Sequence, residues 1–343
     1  MATQTETMRA AIYRGPNDAA VVEKPKPTAR DGWAIIAPEF FGVCGTDLHI
    51  WQGHHPRAQP GLTLGHEFVG RLTESNAIGE AGTAVFVNPL IGCGECRSCL
   101  EHADHVCAKF GLFGIDVDGG AAEFVSVPMA SLVPLPEGVD LRSFALIEPA
   151  SVCVRAVRRS RQRLGDTVRV VGAGPIGLMV ALCARQAGAA SVTIAEPSEL
   201  RAATARALGF EVTETSPREQ FDVVYDCTGH PSVAPHVLDL VLTGGTLVDV
   251  GLYRAPIAID LPSVMRRELT IVGTHVYRPA DVRGAIDLIA SGQLPVERLV
   301  SSIRPLDEIQ LAFEQILEGN EVKVLLSPRP LHASESHDSG EQS

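Results

Sequence analysis

The sequence predicts an α/β chain in two parts, a compact β-barrel-like lobe over residues 1–150 and a doubly wound parallel sheet over residues 151–277. Three observations carry this reading. From Arg163 onward the chain runs strand, glycines, helix, strand and acid in that order. The first 150 residues break into short β-rich pieces separated by many Gly and Pro. A length of 343 residues fits two domains at about 100 to 200 residues each.

Taken in order, the β-rich pieces of the first part are 9–13, 33–41, 68–72, 84–87 and 121–127, too short and too punctuated for helices. In the second part, residues 168–171 form a β-branched run ending in glycines, as a buried parallel strand should. Residues 178–187 suit a helix and 191–195 a second strand, and strand-like runs at 222–225, 245–250 and 269–276 continue the sheet. The helical patterns ADVRGAIDLIASG and LDEIQLAFEQILEG then precede a last strand at 323–326. Because the sheet is complete by Tyr277, residues 278–328 are expected to return and pack on the first part. Residues 329–343, rich in Pro, Ser, Glu and His, read as a mobile tail.

Charge and hydropathy narrow the function. With 29 basic against 41 acidic residues the chain carries −12, and its few lysines are Lys24, Lys26, Lys109 and Lys323. That is no nucleic-acid footprint. The apolar run at 176–184 is nine residues long, half of the ~18 that would span a bilayer. The opening MATQTETMRA lacks the charged start and apolar middle of a signal peptide. The expected location is the cytoplasm, where eight cysteines serve as ligands or free thiols rather than in disulfides.

Four of those cysteines crowd into CGECRSCLEHADHVC, placing Cys93, Cys96, Cys99 and Cys107 at gaps of three, three and eight. Thiolates bind Zn²⁺ tetrahedrally, and four sulfurs close the shell, so the expected site is structural. Iron–sulfur clusters use similar spacings, and four unrelated thiols are the bland alternative. His102 and His105, inside the loop, read as solvated. Cys153, Cys183 and Cys227 sit in apolar surroundings and read as small core residues.

Cys44 is different. In FGVCGTDLHIWQGHHPRAQPGLTLGHEF it precedes an adjacent pair, His66 and Glu67, by 22 residues. A thiolate, an imidazole and a carboxylate make an open metal site with room for a water or a substrate oxygen. The same residues also read as a buried His beside a surface Glu.

The segment GAGPIG places Gly172, Gly174 and Gly177 in a G-x-G-x-x-G pattern, with Pro175 and Ile176 opening the helix. The first glycine permits the turn, the second lets backbone approach a pyrophosphate, and the third lets helix pack on strand. Glu196, 19 residues after Gly177, ends the second strand, where its carboxylate can accept from ribose hydroxyls and repel a 2′-phosphate. NAD is therefore expected over NADP, with Arg201 the residue that argues for the other cofactor. Thr228, Gly251 and His275 end later strands and are expected around the nicotinamide.

Taken together, GVCGTDLH, LGHE, the four-cysteine lobe, GGAAEFVSVP, the EP at Glu148 and Pro149, and GAGPIG resemble the zinc-containing medium-chain alcohol and polyol dehydrogenases, from Met8 to Pro328. The resemblance implies a GroES-like catalytic domain, residues 1–150, with a zinc lobe at 92–108, and a Rossmann domain. It implies two zinc ions per chain: a catalytic one on Cys44, His66 and Glu67, with Glu148 as a fourth or exchangeable ligand, and a structural one on Cys93, Cys96, Cys99 and Cys107. Thr46 resembles the family's relay hydroxyl, His49 would pass the proton onward, and Asp47 would orient His66.

The implied reaction is NAD-linked oxidation of a secondary hydroxyl to the ketone. The details resemble the sorbitol, butanediol and threonine dehydrogenase branch, and a polyol or vicinal diol is preferred over threonine-like amino alcohols or aminocyclitols. Trp51, His54, His55, Phe110 and Phe113 flank the expected cleft, with Trp51 and Phe113 equally readable as core. A non-catalytic zinc- and nucleotide-binding protein is the remote alternative, opposed by an intact Cys44, Thr46, His66 and Glu67. Members of this length imply a homotetramer or homodimer, joined near GTLVDVGLY and THVYR.

Overall fold

The structure, a computed structural model, describes residues 6–213 and 219–331. It divides into one unit of Met1–Glu148 with Val300–Ser343 and a second of Pro149–Leu299.

In the first unit, a sheet of seven strands runs Val300–Pro305, Lys323–Ser327, Trp33–Gly42, Glu67–Leu72, Ala84–Val87 and Leu132–Pro134, with Val125–Pro128 pairing Trp33–Gly42 off this path. Glu67–Leu72 and Lys323–Ser327 are buried along almost their whole length, as strands covered on both faces are. Ile36, Phe41, Phe68, Leu72 and Val85 from the sheet meet Phe313 and Leu326 from the returning segment in one apolar core. A separate hairpin, Thr7–Gly15 with Asp18–Pro25, includes the expected 9–13 piece; its second strand, DAAVVEKP, was not expected. Residues 121–124 lie outside the strand Val125–Pro128, shorter than the expected 121–127 piece. Register matters most at one place. Trp33–Gly42 and Glu67–Leu72 pair antiparallel with Phe41 opposite Phe68 and Gly42 opposite Glu67. The residues just past one strand's end are thereby held beside those just before the other's start.

The second unit is a six-stranded parallel sheet in the order Glu211–Val212, Ser191–Ala195, Thr167–Val171, Phe221–Asp226, Val241–Asp249 and Thr270–Gly273. The order reverses beside Thr167–Val171, which is where such sheets bind their ligands. The strand is not uniformly apolar, because Arg169 is buried within it and donates to Thr193 Oγ1 at 3.1 Å and the Thr213 carbonyl at 3.2 Å.

The return to the first unit falls at Val300, not at residue 278. The helix Pro279–Ala290 stays with the second unit because Asp281, buried, pairs with Arg158 at 2.8 Å, and Gln186 donates to the Gln293 carbonyl at 3.0 Å. Only the last two strands and the helix Ile309–Leu317 join the first. Of the expected tail, residues 332–343 lie outside the described residues. Among the described residues, no helix is long and apolar enough to cross a membrane.

Candidate active site and metal centres

The antiparallel register explains how residues 22 apart converge. Cys44 follows the strand Trp33–Gly42 by two residues, His66 directly precedes Glu67–Leu72, and one donor atom from each of Cys44, His66 and Glu67 lies within 4.8 Å of the others. The helix Gly45–Trp51 starts at Cys44, and Asp47, buried in its first turn, accepts from the Cys44 backbone N–H at 2.9 Å. The other Asp47 oxygen, Oδ1, sits 3.6 Å from His66 Nδ1, beyond hydrogen-bond length. Both of these buried atoms lack a hydrogen-bond partner among the described residues. Burial alone would lower the His66 pKa, but the charges of Asp47 and Cys44 outweigh it and hold the ring well above its ordinary value. A buried pocket with so much negative character fits a bound divalent cation, and the donor set of sulfur, nitrogen and oxygen fits zinc.

Sequence reasoning missed Lys323. Its ammonium is buried, contacts Glu67 Oε2 and donates to the Val43 carbonyl at 2.9 Å. Burial alone would lower its pKa; the neighbouring charges of Glu67 and Cys44 raise it instead. The strand Lys323–Ser327 delivers it by pairing with Trp33–Gly42 at Leu325 opposite Gly42 and Leu326 opposite Phe41. Gly42 makes the room, since a Cβ there would meet Glu67 Oε2 at 2.6 Å and Lys323 Cε at 2.9 Å. The only sequence signal was a lysine opening an otherwise apolar strand in a chain with few lysines.

Thr46 and His49 stand three apart on the helix Gly45–Trp51, a spacing that puts them on one face, and both are half-buried. Glu148 is buried in the first turn of the helix Ile147–Ser160 and does not join the three residues whose donor atoms cluster. Trp51 and Phe113 are core: Trp51 packs on Phe313 with ring centroids 5.9 Å apart and donates to Gln310 at 3.0 Å. His54 is exposed, while His55 and Phe110 are half-buried.

The four cysteines of the lobe also converge. A two-stranded ladder, Leu90–Ile91 with Gly111–Leu112, closes the base of the loop. Sulfur–sulfur distances are 3.9 Å for Cys93–Cys99, 3.6 Å for Cys96–Cys99 and 3.8 Å for Cys96–Cys107. A tetrahedron of Zn–S bonds near 2.3 Å has edges of about 3.8 Å, so the set is already zinc-shaped. Backbone N–H groups aim at the sulfurs, Cys93 and Lys109 donating to Cys107 at 3.3 Å each. Such donors, from Ala108 and Cys99, pull the Cys96 thiol down to about 6, as a thiolate ligand needs. His105, expected in solvent, is buried, because the turn Asp104–Val106 tucks it inward.

In the second unit, Gly172 ends the strand Thr167–Val171 at φ +96°, which a side chain rarely adopts, and a Cβ on Gly177 would lie 1.9 Å from the Gly172 carbonyl. Gly174 caps the helix Pro175–Gln186, whose first turn holds Pro175, Ile176 and Gly177, and a Cβ on Gly174 would meet nothing within 4 Å. That open space belongs to a cavity of about 960 Å³ lined by Gly172, Gly174, Glu196, Arg201, Thr228 and His230. Glu196 ties two segments together, accepting from the Ala173 N–H at 2.7 Å and the Ser198 N–H at 2.9 Å. Gly251 packs against Gly229, where its Cβ would come 2.1 Å from backbone nitrogen. His275 is exposed, beyond the strand Thr270–Gly273, and does not line this cavity.

Known proteins share this architecture. Residues 30–137 match the model of the alcohol dehydrogenase GroES-like domain, and residues 175–291 that of zinc-binding dehydrogenase. The chain is 34% identical to the 2-dehydro-3-deoxy-L-galactonate 5-dehydrogenase of Pseudoalteromonas atlantica, over 91% of this chain and 96% of the relative. It is 32% identical to the sorbitol dehydrogenase of Halalkalibacterium halodurans, over 92% and 97%. A zinc-binding dehydrogenase from Sinorhizobium meliloti 1021, solved with NADP, superposes with a TM-score of 0.88 at 29% identity, covering 94% of this chain and 100% of that one. The chain belongs to the zinc-containing medium-chain alcohol and polyol dehydrogenases and is an oxidoreductase acting on CH–OH donors.

Proposed function

We propose that the protein oxidises a secondary hydroxyl of a polyol, or of a related polyhydroxy compound, to the ketone, with NAD⁺ as acceptor and release of one proton. The observation that carries this reading is the convergence of Cys44, His66 and Glu67 in a buried, negatively charged pocket. When bound, zinc supplies a Lewis acid that lowers the pKa of a substrate hydroxyl toward neutrality, and NAD supplies the hydride acceptor. The chain's own residues do the rest. Asp47 holds the Cys44 backbone and faces His66, fixing two ligands from one helix turn. Thr46 takes the hydrogen bond of the substrate hydroxyl, and His49, on the same helix face, carries the proton toward solvent. Glu148 serves as an exchangeable ligand. Glu196 accepts from the ribose hydroxyls, which favours NAD over NADP despite Arg201 in the same cavity.

The test is initial-rate NAD⁺ reduction over tetritols, pentitols, hexitols, 2,3-butanediol and threonine. Turnover of polyols or diols is the expected result, at least about tenfold lower in kcat/KM with NADP⁺, a difference of ~1.4 kcal/mol. Threonine as the sole substrate would contradict the polyol reading.

The same proposal includes self-association. The edge strand Thr270–Gly273 is unpaired on one side among the described residues, and Leu252, Leu261 and Met265 near it are exposed. Such an edge supports pairing with a second copy, as a homodimer or homotetramer, and a monomer on gel filtration would contradict it. Eight free cysteines support a reducing, cytoplasmic setting.

A further inference from the structure

Beside the metal-ligand cluster the first unit carries an arginine, Arg57, that the reaction as described does not use. Residues 49–57 include His49, His54, His55 and Arg57 and no acid, in a chain whose net charge is −12. Arg57 is anchored: its Nη1 donates to the Phe110 carbonyl at 2.8 Å and lies 3.2 Å from Asp116 Oδ2. Asp116 is itself set by the Leu112 N–H, which donates to the same oxygen at 2.8 Å. Arg57 Nε and Nη2 make no hydrogen bond among the described residues, so one edge of the guanidinium remains open.

The anchoring loop and the glycine after it lie against Gly65, the residue before the ligand His66. A Cβ on Gly119 would come 2.1 Å from the Gly65 carbonyl, and one on Gly114 would come 2.7 Å from it. His55 Nδ1 accepts from the Arg57 backbone N–H at 3.4 Å. An arginine held by a carboxylate and a carbonyl, with a free two-donor edge, is prepared for a planar or tetrahedral oxyanion.

We propose that the substrate carries an anionic oxygen terminus, a carboxylate or a phosphate, gripped by the open edge of Arg57 while its secondary hydroxyl is oxidised at the Cys44–His66–Glu67 centre. This rests on the dehydrogenase reading above and narrows its substrate. Arg57 is then a specificity residue, and the neutral polyols are the poorer substrates.

The experiment compares NAD⁺ reduction on an alditol, its aldonate and its monophosphate, matched in length and configuration. The zinc-loaded full chain, its Arg57→Met variant and its Arg57→Lys variant are assayed side by side. The expected kcat/KM for one anionic member exceeds that of the alditol by about 30-fold or more, and which anion wins identifies carboxylate or phosphate. In Arg57→Met the anion's KM rises by about the same factor, while kcat and the alditol stay within about twofold; Arg57→Lys, keeping the charge, recovers part of the loss. An unchanged melting temperature of each variant shows that the anchoring loop is intact. Equal or better turnover of the alditol, or an equal loss on all three substrates in Arg57→Met, overturns the inference and leaves the dehydrogenase standing. Absence of turnover with every alcohol overturns the dehydrogenase reading and the inference with it.

Discussion

Replacing Cys44 with alanine is expected to lower kcat/KM by about a thousandfold or more and to reduce the zinc content from two ions per chain to one. Among the described residues there are two metal-ligand clusters, one of which involves Cys44. A Lewis acid at such a site contributes several kcal/mol of charge stabilisation in the transition state, and each ~1.4 kcal/mol is tenfold in rate. The lost thiolate also removes one of the charges that hold His66 above its ordinary pKa, so the pocket's attraction for a cation weakens. The four sulfurs of Cys93, Cys96, Cys99 and Cys107 form a cluster of their own, so the remaining zinc and the melting transition should persist. Metal analysis of the purified variant, alongside its kinetics, checks both halves. Retention of two zinc ions with full activity would rule out Cys44 as a ligand.

Lys323→Met is expected to destabilise the metal-free protein by about 3 to 5 kcal/mol. The cost does not measure the worth of an ion pair. It arises because, with no metal bound, removing one partner of a buried pair strands the other, here Glu67, without water or counter-charge, whereas zinc on Glu67 would supply that counter-charge and shrink the loss. Both side chains are 2% exposed, so solvent cannot rescue the carboxylate. In the double variant Lys323→Met with Glu67→Gln most of the loss should return, since a neutral amide replaces the stranded charge. Denaturant unfolding of the single and double variants measures this. A single variant as stable as the parent would mean that Glu67 finds another cation when Lys323 is gone.

The contrast between these two residues shows what was legible in the sequence. Cys44 was visible because it is close in sequence to Thr46 and Asp47 and stands a fixed step from His66 and Glu67, and the cysteine lobe because its ligands fall within one loop. The glycine pattern was readable for the same reason: strand, turn and helix are contiguous, and each glycine answers a local steric need. Lys323 reaches Glu67 from 256 positions away, through a strand whose neighbour in the sheet is set by core packing rather than by local pattern. Arg57 had no signal of its own, since its anchoring depends on the Phe110–Asp116 loop folding against Gly65. The second unit's boundary failed in the same way: the helix Pro279–Ala290 reads alike in either unit, and long-range contacts such as Asp281 with Arg158 and Gln186 with Gln293 assign it. Buried Arg169, inside a strand expected to be apolar, is tolerated because threonines on two neighbouring segments accept its hydrogen bonds.

The central claim is that zinc held by Cys44, His66 and Glu67 is required for NAD-linked oxidation of a secondary alcohol. The most direct measurement follows NADH formation from a turned-over polyol or polyhydroxy acid before chelation, after exhaustive removal of metal, and during back-titration with zinc. The account predicts activity that vanishes with the metal and returns in proportion to zinc re-bound, with NAD binding unchanged throughout. Full activity in the metal-free protein would contradict it.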